Sequence, residues 1–423
     1  MLAISLIREN QAEVIRRLAV KNFHSTECIH QAITLDDRRR EIQQTLDDLH
    51  ARSNMLAKEI GILIKSGKPA EANSLKEQTL SLKSQSKELE TSLAIVKQEL
   101  EEILLLIPNL PHPSVPTGKS PEENEITHQE GDIPVLPAEA MAHWDLVQRY
   151  HIIDFEMGVR ITGAGFPVYL GQGAALQRAL ISFFLDHAIK AGYTEVQPPY
   201  LVSTGSAFGT GQLPDKDGQM YRLAEEDLYL IPTAEVPVTN LYRGLILNQQ
   251  DLPVKHVAYS ACFRREAGSW GKEVRGLNRL HQFDKVEIVQ IVHPDCSYTV
   301  LEEMKDYVAG LIRQLGLPFR IVKLCGGDLS FTSAMTYDME VYAAAQQRWL
   351  EVSSVSNFET FQANRMKLRI KDENGKIKPA HTLNGSALAL PRIVAALLEN
   401  NQTPDGIAIP EVLVPYTGFQ IIR

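Results

Sequence analysis

Residues 257–292 read VAYSACFRREAGSWGKEVRGLNRLHQFDKVEIVQIV. Two apolar runs of strand character, VAYSACF and KVEIVQIV, flank a polar loop that contains Gly268, Gly271 and Gly276. That pattern predicts an antiparallel hairpin. Strand alternation puts Arg264 and Glu266 on one face with Arg265 turned away, and puts Phe283, Lys285 and Glu287 together on one face. One surface of the hairpin then offers a guanidinium, an aromatic plate and two carboxylates. Such a set suits an adenine nucleotide, because the guanidinium grips a phosphate bidentately and the ring stacks on the base. Paired surface charges would read the same way.

On either side of the hairpin, residues 174–192 (AALQRALISFFLDHAIKAG) and 298–316 (YTVLEEMKDYVAGLIRQLG) carry helical periodicity. Strands follow one another around loops as often as they alternate with helices. The fold class expected for residues 109–423 is therefore α+β, a largely antiparallel sheet flanked by helices. Residues 108–137 are rich in proline and poor in periodicity, which predicts a linker or an extended surface strap.

Residues 1–108 are expected to form a separate helical unit. Leu35, Ile42, Leu49, Leu56 and Leu63 recur every seven residues, with Leu46 and Ile60 in the alternate row. The pattern resumes as Leu75, Leu82, Leu89, Val96 and Ile103, with Leu93 and Leu100 beside them. Two such runs separated by KSGKPAEAN describe an antiparallel coiled-coil hairpin that turns at Gly67 and Pro69. A register pairing Leu56 with Leu82 and Ile60 with Thr79 sets Ser53 opposite Ser86, so the polar exceptions share one layer. Arms of about 29 residues would reach ~43 Å. Residues 27–107 hold 11 basic and 14 acidic side chains, so the rod is no basic rail. The clusters Arg38, Arg39, Arg40 and Lys65, Lys68, Lys76, taken alone, read as a solvated coiled-coil face.

Among 423 residues, 43 Lys and Arg face 52 Asp and Glu, a net charge of −9. This opposes a general nucleic-acid coat and leaves room for a local basic patch. Four cysteines exclude a disulfide scaffold, and their spacing provides no CxxC knuckle. Arg8 and Glu9 interrupt the opening apolar run, and no stretch reaches the ~20 apolar residues of a membrane helix. A soluble, cytoplasmic protein is expected. GxxxxGK[ST], GxGxxG after a strand, HExxH and GxSxG are all missing, so a nucleotide would not be held by a Walker or Rossmann cradle.

The stretch FRREAGSWGKEVRGLNRLHQFDKVE resembles motif 2 of class II aminoacyl-tRNA synthetases, in the form used by seryl-tRNA synthetases of bacterial type. HTLNGSALALPRIVAALLENNQ, from His381, resembles motif 3. QGAALQRALISFFLDHAIKAGYTEVQPPYL, from Gln172, is similar to motif 1, a long helix feeding a strand that ends at Pro199. IPTAEVPVTNLY resembles the substrate loop and EVSSVSNFETFQANR the metal-proximal strand. The motifs stand in the family's order behind a heptad hairpin and cover nearly the whole chain.

The resemblance implies a six- to seven-stranded antiparallel sheet and a homodimer formed through motif 1. It implies ATP-dependent ligation of L-serine to tRNA(Ser), and also to tRNA(Sec), through a seryl-adenylate. Arg264 would hold the α-phosphate, Glu266 the adenine amino group and Phe283 the base, with Arg279 and Arg392 at the γ-phosphate. Glu351 and Ser354 would ligate Mg2+, a hard cation suited to oxygen donors. Arg265, Val352 and Ser353 join the ATP set as their neighbours. Positions 351 and 354 face opposite ways on a regular strand, so a bulge near Ser353 or a strand end is required. Glu287 would take the serine ammonium, with Thr233, Ala234, Glu235, Asn384 and Ser386 around the side chain. Arg38, Arg39, Arg40, Lys65, Lys68 and Lys76 become the tRNA phosphate candidates.

Plainer readings stand beside these roles. Thr233 could be a strand residue or helix cap, Ser386 the N-cap of a helix from Leu388, Arg392 a surface ion-pair partner and Cys262 packing. No Cys/His triplet suggests a zinc-dependent serine site, so no zinc is expected. After TGQLP many relatives continue Lys-Phe, whereas Asp215, Lys216, Asp217 and Gly218 follow here, which questions the loop's closing role. Two other functions compete. One is a paralogue that charges a carrier protein, against which the complete arm counts. The other is a dead scaffold, which predicts loss of Arg264, Glu287, Glu351 or Arg392, all of which are present.

Overall fold

The structure is a computed structural model that describes residues 1–266 and 275–423. Gly268 and Gly271 of the expected hairpin loop lie outside the described residues. Two compact units divide the chain, residues 1–19 with 23–108, and residues 20–22 with 109–423.

The first unit contains α1 (Ile4–Glu9), α2 (Gln11–Val20), α3 (Thr26–Lys65) and α4 (Pro69–Leu104). Ser25 caps α3 by accepting the Cys28 N–H, and Pro69 occupies the first turn of α4, where its missing N–H costs nothing. The 40 and 36 residues of α3 and α4 run about 60 and 54 Å at the helical rise. Both exceed the heptad-based length because α3 starts at Thr26, ahead of Leu35, and α4 at Pro69, ahead of Leu75. His50 Nε2 lies 3.7 Å from Glu90 Oε1, within about two residues of the register set by the heptads. Leu46, Leu82, Leu93, Val96 and Leu100 fill the seam, and Ser86 is buried in it as expected. Asp36 is buried as well, holding Arg39 and Arg40 at 2.8 Å and Arg8 at 3.3 Å. Two of the three arginines assigned to tRNA are thus braced on one carboxylate.

The second unit is built on eight strands: β1 (Glu125–Glu130), β2 (Thr194–Glu195), β3 (Val254–Phe263), β4 (Gln282–Val292), β5 (Phe319–Lys323), β6 (Met335–Ala343), β7 (Arg348–Asn357) and β8 (His381–Ala389). They run in the order β1-β5-β6-β7-β8-β4-β3-β2, antiparallel throughout except for β2 on β3. The sheet is thus one strand wider than expected. The sheet gains β1 from the proline-rich segment expected to be a strap. EITHQE lies on a sheet edge and is largely exposed, so it lacks the apolar alternation of an interior strand. The strand of motif 1 shrinks to Thr194 and Glu195.

Three helices cover one face: α6 (Gly171–Lys190), α8 (Ser297–Gln314) and α10 (Leu390–Asn400). Phe183, Met304, Val308, Leu397, Val286, Ile288, Met339 and Val355 share that core. The short helix α5 (His143–Arg149) packs beside α10. On the opposite face, α7 (Glu235–Asn240) sits through Ala234 and Val238 on Ala258 and Val289, and α9 (Phe361–Met366) lies further along. Among the described residues, no helix is long and apolar enough to cross a membrane.

Candidate active site

Cross-strand register assembles the second face. Glu287 pairs with Ala258 on β3 and Ser386 on β8, Asn384 with Ser356 on β7, and Ser354 with Asp338 on β6. Partners directly opposite in a sheet share a face, so Glu287, Ser386, Asn384, Ser354 and Asp338 belong to one surface. Ser386 therefore lies in a strand, and the helix cap read from the sequence is replaced by Ala389 ahead of Leu390.

The expected bulge exists. Met339 pairs with Ser353 and Glu340 with Glu351, which leaves Val352 unmatched. The extra residue turns Glu351 and Ser354 to the same side, where both line a cavity of about 460 Å³ with Asp338, Glu340 and Arg320. Val352 itself is buried in the helix-covered core, so its side chain does not reach this face. Ser353 donates to the Ser386 carbonyl at 2.6 Å, tying β7 to β8 beside the site.

The Glu287 carboxylate is buried and accepts Lys285 Nζ at 2.5 Å and Thr233 Oγ1 at 3.2 Å. Glu235, two residues beyond Thr233, is buried beside it. Gln362 donates to Glu235 Oε1 at 2.6 Å and to the Thr210 carbonyl at 3.1 Å, while its own oxygen accepts from Thr382 at 2.7 Å. That arrangement fixes the amide's orientation and aims its N–H at Glu235. Burial first, then the charge of Glu287, pushes Glu235 up to about 7. Gln362 lies within a quoted motif, and alternation puts Lys285 on the face of Glu287, yet the sequence gives neither a role. Only their burial marks them.

At the hairpin, Arg264 stands 5.2 Å above the Phe283 ring and donates to the Pro232 carbonyl at 3.4 Å. The guanidinium and the aromatic plate therefore meet, as alternation required, and Pro232 of the IPTAEVPVTNLY stretch joins them. Alternation stops there, however. β3 ends at Phe263, and Glu266 has a positive φ of 49°, so its direction follows from the turn rather than from strand parity. Glu266 is paired with Arg279. Arg265 donates its N–H to the Gln219 carbonyl at 2.9 Å, on the loop that departs from the family pattern. That loop closes on itself through Asp215, whose carboxylate accepts the Gln219 and Met220 N–H groups at 2.9 Å each. Arg392, in the first turn of α10, donates to the carbonyls of Glu351 at 2.7 Å and Asn278 at 3.1 Å.

The protonation of Glu235 has a measurable consequence. In an unfolded chain a glutamate titrates near 4.5, against about 7 here. The folded state thus holds the proton more tightly, and the stability this confers is full below about 4.5 and lost as pH rises to about 7, on the order of 3 kcal/mol in all. Denaturant melts of Glu235→Gln and the parent protein should diverge by that amount between pH 4.5 and 8, in the variant's favour. Parallel curves would refute the buried-acid assignment.

An antiparallel sheet with an arginine-bearing hairpin, a bulged acidic strand and a helix opening on arginine defines the catalytic core of a class II aminoacyl-tRNA synthetase. Residues 220–401 match the model of the class II synthetase core domain for glycine, histidine, proline, serine and threonine, and residues 1–111 match that of the seryl-tRNA synthetase N-terminal domain. A serine–tRNA ligase of Salinibacter ruber is 49% identical over 421 residues, covering 99% of this chain and 98% of the relative. One from Chlorobium phaeovibrioides is 45% identical, covering 100% and 99%. The crystal structure of a seryl-tRNA synthetase from Pyrococcus horikoshii complexed with ATP superposes with a TM-score of 0.92 at 34% identity, over 100% of this chain and 99% of that one. The chain belongs to the seryl-tRNA synthetase family, whose members are ATP-dependent aminoacyl-tRNA ligases.

Proposed function

We propose that this protein activates L-serine with ATP and transfers it to tRNA(Ser), and to tRNA(Sec) as well, acting in the cytoplasm as a homodimer joined through motif 1. The observation that carries this reading is the convergence on one sheet face of a buried carboxylate and hydroxyl cluster (Thr233, Glu235, Glu287, Asn384, Ser386) with the Arg264–Phe283 pair.

A serine carboxylate oxygen attacks the α-phosphorus, the bond to the β-phosphate oxygen breaks, and pyrophosphate leaves. A ribose hydroxyl of the terminal adenosine then attacks the seryl carbonyl and AMP departs. Arg264 neutralises the α-phosphate, Phe283 stacks on the adenine, and Glu266 accepts its amino group. Arg279 and Arg392 take the γ-phosphate. Because Glu266 and Arg279 pair with each other, ATP binding requires both to exchange partners. Arg265 and the backbone of Val352 and Ser353 complete the nucleotide contacts. Catalysis of this kind rests on positioning and charge neutralisation.

Magnesium fits the chain's own donors. Glu351 and Ser354 face one cavity, and Asp338 Oδ1, sealed beside them, has no hydrogen-bond partner among the described residues. All are oxygens, and a cation that takes most of its ligands from phosphates and water needs few from the protein. When bound it would neutralise phosphate charge.

For serine, Glu287 pairs with the ammonium while Thr233, Ala234, Glu235, Asn384 and Ser386 enclose the side chain. A site built to hydrogen-bond a hydroxyl rejects alanine because its polar groups would be left unpaired. On the arm, Arg38, Arg39, Arg40, Lys65, Lys68 and Lys76 contact tRNA phosphates. ATP–pyrophosphate exchange with serine, threonine, alanine and glycine in parallel tests the reading. Exchange with serine alone is expected, and no exchange with any of the four would return the scaffold alternative.

A further inference from the structure

Glu399 lies on α10 two turns beyond Arg392 and has no part in the chemistry above, yet it is fully buried, as is His143 at the start of α5. His143 approaches Glu399 Oε1 twice, with its backbone N–H at 2.9 Å and Nδ1 at 2.8 Å. Gln346, in the turn between β6 and β7, donates its side-chain amide to Oε1 at 2.8 Å and its backbone N–H to Oε2 at 3.1 Å. Four donors on one carboxyl group are the surroundings of an acceptor-only carboxylate. The other imidazole nitrogen, Nε2, accepts the Leu277 N–H at 2.9 Å. A backbone N–H can only donate, so Nε2 is the bare nitrogen and Nδ1 carries the proton to Glu399.

Leu277 and Asn278 belong to the limb that returns from the motif 2 loop to β4. Gly276 starts this limb at φ +67°, and a Cβ there would come to 2.3 Å from His143 Nε2, so the close approach requires glycine. Asn278 donates to Gln346 Oε1 at 2.8 Å. Its carbonyl then accepts Arg392 Nε at 3.1 Å, and Arg392 reaches on to the Glu351 carbonyl at 2.7 Å. An unbroken chain of bonds thus runs from Glu399 through His143 and Gln346 to the backbone that carries Arg279 and positions Arg392.

We propose that His143, Gln346 and Glu399 are positioning residues for ATP, a buried clamp that sets the returning limb of the motif 2 loop so that Arg279 and Arg392 stand ready for the triphosphate. This rests on the reading of those two arginines as triphosphate ligands.

The test compares ATP and serine KM in pyrophosphate exchange, with melting temperature, for His143→Ala, His143→Gln, Gln346→Met, Arg279→Ala and Arg392→Ala. His143→Ala and Gln346→Met should raise the ATP KM about tenfold and leave the serine KM within about twofold, since misplacement acts on one substrate alone. Glutamine at 143, with one acceptor and one donor, should recover much of the loss. If His143→Ala fails to fold, Gln346→Met carries the comparison, because it alters a half-buried turn and leaves the His143–Glu399 pair in place. An unchanged ATP KM, or equal changes in both KM values, overturns the clamp. If Arg279→Ala and Arg392→Ala also leave the ATP KM unchanged, the triphosphate reading fails and the clamp falls with it. If those two raise it and the clamp variants do not, the clamp alone is refuted.

Discussion

Glu287→Gln should lower kcat/KM for serine in pyrophosphate exchange by about a hundred- to a thousandfold while leaving the ATP KM near its parent value. The reason lies in what surrounds the carboxylate. Glu287 is buried, and Lys285 at 2.5 Å and Thr233 at 3.2 Å converge on its Oε2. The proposed substrate ammonium would meet a carboxylate in a site shielded from water, and charge-assisted bonds in such places are the strong ones. The amide keeps the volume and an acceptor for Thr233 and loses the charge. Glu287→Ala should abolish exchange outright, but it also strands the Lys285 ammonium inside the protein, at a cost of about 3–5 kcal/mol in stability. The glutamine variant therefore separates recognition from folding, and the alanine variant should be rescued in stability, but not in activity, by adding Lys285→Met. Full serine-dependent exchange in Glu287→Gln would remove Glu287 from the ammonium site.

The same neighbourhood shows what a sequence can and cannot say. Parity alone puts Glu287 and Phe283 on one face, because β4 is a long regular strand that keeps its alternation. A bulge near Ser353 or a strand end is required by the sequence, since two expected ligands three residues apart have to point the same way, and the structure supplies the bulge at Val352. Parity fails for Glu266, which lies three residues past the end of β3 in a left-handed conformation. Ser386 resembled a helix cap because Gly385 and the following apolar run imitate a helix start, while the pairing that makes it a strand residue comes from Glu287, far away in the chain. Buried polar groups were the least visible. Asp36 sits beside an arginine cluster that reads as a solvated face, yet Arg8, distant in sequence, helps to bury it. His143 and Glu399 are separated by 256 positions, so neither carries a local signal. Periodicity reports the faces that meet water or core. Polar partners chosen by tertiary structure leave no period behind.

Truncation of the arm should split the two half-reactions. The register fixed by His50 and Glu90 places residues 35 and 103 at nearly the same level of the hairpin, so deleting 35–103 and closing the gap with a short Gly-Ser turn joins the remaining stub of α3 to Leu104 at the end of α4. The residues proposed for adenylate chemistry all lie in the second unit, and serine-dependent exchange should remain within about twofold of the full chain. If the arm cations are the proposed phosphate ligands, aminoacylation of tRNA should fall by about three orders of magnitude, because several contacts would vanish at once and each adds affinity that salt erodes. The full chain should accordingly show a tRNA KM that rises steeply with salt, and the truncated chain a nearly flat one. Point variants refine this. Arg38 is exposed and can be reversed by Arg38→Glu without disturbing the fold, as can Lys65 at the tip. Arg39 and Arg40 also brace the buried Asp36, so their loss would confound tRNA affinity with stability. Equal loss of exchange and charging on truncation would make the arm a folding element. Retained charging would place tRNA recognition entirely on the catalytic unit.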